Sequence, residues 1–164
     1  MMKYADNYLK LANFGRELLY KNSLIDGLPF ISECAKDIIG ADRCSIFINE
    51  LNKDELWTTI SDGVEKIVIP KNRGVVGEVI KEQKSIIVND VSHDKYFMSD
   101  IDKKTGYKTK NIIATPIFNS NMEIVGVLEL LNKENGFDVE DLKFMKFFTH
   151  YISGFMELVL LNKK

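Results

Sequence analysis

One acid interrupts the apolar run Val127-Leu128-Glu129-Leu130-Leu131. Alternation along a strand places Glu129 on the face shared with Val127 and Leu131. A carboxylate on such a covered face is costly unless something pairs with it. Glu129 is therefore the residue whose chemistry most needs an explanation. Just upstream lies a Thr-rich stretch, Ile101-Asp-Lys-Lys-Thr105-Gly-Tyr-Lys-Thr109-Lys110, at the end of a long polar connection. Connections of that length usually carry function. The residue types that break bonds are sparse. Cys34 and Cys44 have no CxxC partner and no His-rich neighbours, so they read as small core residues. His93 and His150 show no paired-ligand spacing, and no metal is expected. Arg73 suits either anion steering or a solvated loop.

Composition narrows the partners. At 164 residues, 45% hydrophobic and 28% charged, the chain suits one globular domain with a real core. A formal net charge of −2 leaves no basic surplus for nucleic-acid phosphates or anionic lipid. Apolar runs are only a few residues long and the N-terminus is charged, so neither a membrane span nor a signal peptide is expected. A cytoplasmic location is the default that follows.

These residues must be held by elements legible from periodicity. Tyr8, Leu11, Ala12, Gly15, Leu18 and Leu19 repeat at helical spacing, which predicts an amphipathic helix over Tyr4–Lys21. Ser23 caps a second helix, whose apolar positions run from Leu24 to Ile39, with Pro29 near its start and Gly40 at its end. The period then falls toward two. Cys44–Ile48, Leu56–Ile60 and Lys66–Ile69 predict three antiparallel strands separated by turn residues. Gly74–Gln83 suits a short helix and Ser85–Val88 a strand. Asn89–Lys110 is the long connection. Asn111–Phe118 and Glu123–Asn132 form a hairpin through Asn119-Ser-Asn121.

The last helix runs from a cap at Asp138 to about Leu161, with an acidic first turn and Lys163-Lys164 beyond, as the helix dipole favours. Two apolar stripes follow along it: Leu142, Met145, Phe148, Ile152, Phe155 and Val159, then Phe144, Phe147, Tyr151, Leu158 and Leu161. One should pack on the sheet, the other on the N-terminal helix or a second chain. The order of elements is α+β with a mostly antiparallel sheet.

From Ile101 to Lys133, and more broadly over residues 24 to 162, the chain resembles a GAF domain. It is most similar to the cyclic-nucleotide-binding GAF domains of phosphodiesterases and of some bacterial adenylyl cyclases. The resemblance implies a central antiparallel sheet of about six strands, terminal helices packed on one face, and a ligand pocket on the other. It implies that Ser45 and Asp62 face the base. It also places the cyclic phosphate on backbone amides at the helix start in Ile69-Pro70-Lys-Asn-Arg73-Gly74-Val75-Val76-Gly77. A helix N-terminus offers unpaired N–H groups and partial positive charge to such an anion.

Asp102, Thr105, Thr109, Met98 and Phe97 correspond to the part of the long connection that closes over the ligand, and Glu129 to a carboxylate aimed at the pocket. Threonine hydroxyls donate and accept, while a carboxylate accepts from base N–H groups. Asn132, Lys133, Phe137 and Asp141 correspond to the motif that braces the pocket through a Lys133–Asp141 ion pair. Two departures stand out: Leu142 replaces that motif's final Glu, and Met98 replaces an aromatic. Asp62 before Gly63 equally suits a turn, and Asp102 equally suits the cap of a short helical turn.

The reading implied is a regulatory, non-enzymatic signal-transduction module that binds cAMP or cGMP. It would comprise an N-terminal signalling and dimerisation helix (residues 1–23) and a GAF sensory domain (residues 24–162), with an output domain beyond. It would need no cofactor besides the nucleotide, would dimerise through its terminal helices, and would bind neither nucleic acid nor membrane. One rival is a GAF scaffold with another ligand or none. Another is an enzyme like the free methionine-R-sulfoxide reductases. That family places a cysteine before the Pro-Ile of the penultimate strand, where this chain has Ala114-Thr115.

Overall fold

The computed structural model describes residues 7–58, 67–95, 97, 99, 102–103 and 106–161, with Ile25 and Ile67 described by backbone alone. Helix α1, Tyr8–Leu18, buries Leu11, Phe14 and Leu18. Phe14, rather than Ala12 or Gly15, makes the central contact. Its ring stacks on Phe30 at 4.9 Å and lies 5.5 Å from Phe148. Leu19, expected on the apolar face, is the C-cap and is 83% exposed. Gly15 matters for close approach, because a Cβ there would collide with the Tyr151 hydroxyl.

Helix α2, Leu24–Ile39, starts at Ser23, whose hydroxyl accepts from the Asp26 N–H. It ends at Gly40 in the left-handed region (φ 80°). Pro29 falls in its second turn rather than at its very start.

The strands are β1 (Ala41–Asn49), β2 (Glu55–Thr58), β3 (Ile67–Pro70), β4 (Ile86–Val88), β5 (Ile112–Phe118) and β6 (Ile124–Lys133). They form one sheet in the order β3-β2-β1-β6-β5-β4, with every neighbouring pair antiparallel. Helix α3 spans Gly74–Glu82, and a 3-10 turn, Val91–His93, lies near the start of the long connection. The end of the expected second strand and the start of the third lie outside the described residues.

Alternation along β1, β5 and β6 divides the molecule into two layers. Cys44, Ile46, Ile48, Ile113, Leu128 and Leu130 face α1, α2 and the long final helix α4, Val139–Leu161. Phe47, Ile112, Ala114 and Val127 face α3, where they pack with Val75, Val76 and Val79. Along α4, Met145, Phe148, Ile152 and Val159 are buried as their stripe predicts. Phe144, assigned to the opposite stripe, joins them at 5% exposure, as does Met156. Phe147, Tyr151, Leu158 and Leu161 remain on the exposed side. Among the described residues, the larger apolar surface of α4 is thus only partly covered.

Candidate functional site

Glu129 sits in the middle of β6, directly opposite Ser45 on β1 and Ala114 on β5. All three are on the α3 face, because Phe47, Val127 and Ala114 belong to the apolar cluster there. The carboxylate is partly accessible yet closely surrounded by protein. Among the described residues nothing donates a hydrogen bond to it. Burial, and after it the negative charge of Asp102, pushes its pKa up from 4.5 to about 7.

The long connection approaches Glu129 through Asp102. The Asp102 carboxylate accepts from the Thr109 backbone N–H and from the Thr109 hydroxyl, each at 2.8 Å. Thr109 is buried. A helical turn carries Asp102, since the Gly106 N–H donates to the Asp102 carbonyl. Asp102 thus lies in a short turn, and its side chain latches Thr109 instead of visibly capping that turn. Phe97 packs against the α3-side cluster, with its N–H held by Asp94 at 3.0 Å.

The start of α3 faces the same layer. Val75 and Val76 are buried, Gly74 has φ 74°, and the N-cap Arg73 gives no side-chain cap to the first turn. Gly77 is required for fit: a Cβ there would lie 2.8 Å from the Asn72 carbonyl carbon. The turn before the helix consequently packs down on it, leaving first-turn amides for an outside acceptor.

Behind the site, β6, α4 and the long connection are tied together. Lys133 reaches Asp141 at 2.6 Å, and Asp141 is fully buried. Asp138 and Asp141 cap each other's backbone N–H groups at 2.9 Å, a reciprocal box at the start of α4. Phe137, 4% exposed, is clamped by Asn89, which accepts from its N–H at 2.8 Å and donates to its carbonyl at 3.0 Å. Asn132 has φ 58°. Its side chain accepts from the Lys110 N–H at 2.7 Å and donates to the Lys108 carbonyl at 2.8 Å and the Tyr107 hydroxyl at 2.9 Å. Tyr107 in turn donates to Asp42 at 2.6 Å, with the Arg43 guanidinium 3.7 Å from its ring centre.

The structure thus brings Ser45, Val75, Val76, Phe97, Asp102, Thr109 and Glu129 to one layer, with Asn132, Lys133, Phe137 and Asp141 behind it. Asp62, Met98 and Thr105 lie outside the described residues. Sequence reasoning missed Asn89, Tyr107, Arg43 and Asn111, which exchanges two hydrogen bonds with Lys133. Asparagines that pair with backbone across 22 to 48 residues leave no local signature.

The GAF domain family model matches residues 30–154. The chain belongs to the GAF domain family. Among its relatives are a "Dual 3',5'-cyclic-AMP and -GMP phosphodiesterase 11A" from Takifugu rubripes, 34% identical over 60% of this chain and 12% of that protein. A "cGMP-specific 3',5'-cyclic phosphodiesterase" from Drosophila virilis is 37% identical over 65% of this chain and 14% of that protein. The match therefore spans about one eighth of those relatives.

Two solved structures share the fold. The GAF domain of a phosphoenolpyruvate-protein phosphotransferase from Coxiella burnetii has a TM-score of 0.81 at 18% identity, covering 98% of this chain and 99% of that one. The free methionine-R-sulfoxide reductase from Neisseria meningitidis, in complex with its substrate, has a TM-score of 0.77 at 19% identity, covering 93% and 89%.

Proposed function

We propose that this GAF domain is a regulatory module that binds cAMP or cGMP between the Glu129 face of the sheet and the start of α3. The observation that carries this reading is the largely buried Glu129 carboxylate, which has no donor among the described residues, beside a loop latched by Asp102 and Thr109. An unpaired acceptor in such a place costs stability and is accounted for by a ligand that donates to it. The uncapped α3 N-terminus suits the cyclic phosphate. Relatives named as cyclic-nucleotide phosphodiesterases favour the same ligand class.

Catalysis is not the domain's part. Cys44 points to the helix layer, away from Glu129, and burial, followed by Asp37, pushes the Cys34 thiol up to about 12. Neither offers a thiolate to the cup. Binding is passed instead to an attached output domain through α1 and α4 of a homodimer. Phe147, Tyr151, Gly154, Leu158 and Leu161 repeat at spacings of four and three along the exposed side of α4, a coiled-coil seam. Coupling requires only that the ligand favours one of two helix arrangements.

Calorimetric titration with cAMP and cGMP, beside the non-cyclic monophosphates, tests the reading. Micromolar or tighter binding of a cyclic form, about −8 kcal/mol, is the expected result. Absence of heat with both cyclic forms contradicts it.

A further inference from the structure

Where β5 runs on beyond its pairing with β4, a groove of about 250 Å³ opens between the turn before β4, the second half of β5 and the middle of α4. Thr115 lines it and pairs with Leu128, one residue out of phase with Ala114 and Glu129, so the Thr115 side chain is on the helix face, away from Glu129. Thr115 is 2% exposed, and its hydroxyl has no hydrogen-bond partner among the described residues. Buried hydroxyls are nearly always paired, by protein, water or an ion. Lys84, Lys146 and His150 line the same groove and no carboxylate does. Among the described residues Lys146 and His150 have no acidic partner, and Lys84 has only Glu82, at 4.0 Å. Excess positive charge around an unsatisfied donor is the arrangement an oxyanion satisfies. Pro116 and Phe118 supply an apolar wall for a carbon skeleton.

We propose that this groove binds the oxyanion of a small phosphate-bearing molecule, with Lys146 as counter-charge and the His150 ring N–H and the Thr115 hydroxyl as donors. The site is separate from the Glu129 cup and does not depend on what the cup binds.

The test is an amide-NMR titration with inorganic phosphate and with glycerol 3-phosphate, against sodium chloride at matched ionic strength. Saturable shifts at Thr115, Lys146 and His150, with Ser45 and Glu129 unmoved, are expected for at least one of the two phosphates. Tighter binding of the ester identifies an organic phosphate as the ligand, and equal binding identifies the free ion. Lys146→Gln and Thr115→Val should each raise the apparent Kd tenfold or more. Lys146 is on the surface and valine matches threonine in shape, so both variants keep the fold, which unchanged spectra elsewhere would verify. Shifts that follow chloride, or affinities unchanged in both variants, mean an adventitious ion or water only and overturn the proposal. A parallel cAMP titration read at Ser45 and Glu129 keeps failure of this site distinct from failure of the cup.

Discussion

The carboxylate of Asp102 holds Thr109 by two hydrogen bonds of 2.8 Å, one to its backbone and one to its hydroxyl. This pair ties together two points of the long connection seven positions apart, and the negative charge of Asp102 acts on Glu129. The two acids therefore repel each other while the loop is shut. A ligand that donates to Glu129 relieves that repulsion, so loop closure and binding favour one another.

Glu129 makes stability depend on pH. Its pKa rises on folding from 4.5 to about 7, so between these values the folded state binds more protons than the unfolded one. The stabilisation is fully present below about pH 4.5 and is lost as pH climbs to about 7, by an order of 3 kcal/mol. Chemical denaturation of wild type and Glu129→Gln across this window checks it. The variant should lose this part of the slope and be the more stable protein at pH 7.5, and an unchanged slope would contradict the assignment.

Lys133 neutralises a fully buried Asp141. Removing one partner of such a pair leaves an uncompensated charge, so Lys133→Met should cost about 3–5 kcal/mol. Lys133→Met combined with Asp141→Asn should cost less than Lys133→Met alone. Denaturation midpoints of wild type and the two variants measure this, and a double variant that loses as much as Lys133→Met or more would sink the idea of direct pairing.

Asn132 combines a left-handed backbone (φ 58°) with three side-chain hydrogen bonds to the end of the long connection. Asn132→Gly loses only the bonds, whereas Asn132→Ala adds about 1–2 kcal/mol of backbone strain. Thermal unfolding should rank wild type above Gly above Ala. Equal losses would show that the strain is absorbed elsewhere.

The exposed seam on α4 predicts self-association. Leu158, 65% exposed, and Leu161, 53% exposed, contribute little to the monomer's core. Replacing both by Glu should convert a dimer to a monomer in sedimentation equilibrium while leaving the unfolding temperature of the monomer within a few degrees. A wild type that sediments as a monomer at all concentrations would contradict the seam.

Much of this arrangement was legible because it is local. Ser23 and Gly40 mark α2 by cap chemistry, and a lone acid in an apolar strand singles out Glu129 by period alone. Lys133 and Asp141 were reachable through a family motif that spans β6 and the start of α4. Phe144 went to the wrong stripe because α4 is apolar around most of its circumference, so spacing alone does not choose the buried side. Asn89, Asn111 and Tyr107 were invisible because their roles arise from pairing across strands. Turn-forming asparagines and backbone clamps use the same residue type.

The proposed binding place of the cyclic nucleotide is the Glu129 face, beside the Asp102 latch. Calorimetric titration of wild type and Asp102→Ala with cAMP and cGMP, side by side, addresses it most directly. The expected result is saturable binding of one nucleotide by wild type, weakened in the variant by about 1–3 kcal/mol for the lost buried hydrogen bonding. Binding of equal strength in both proteins, or none in either, would contradict it.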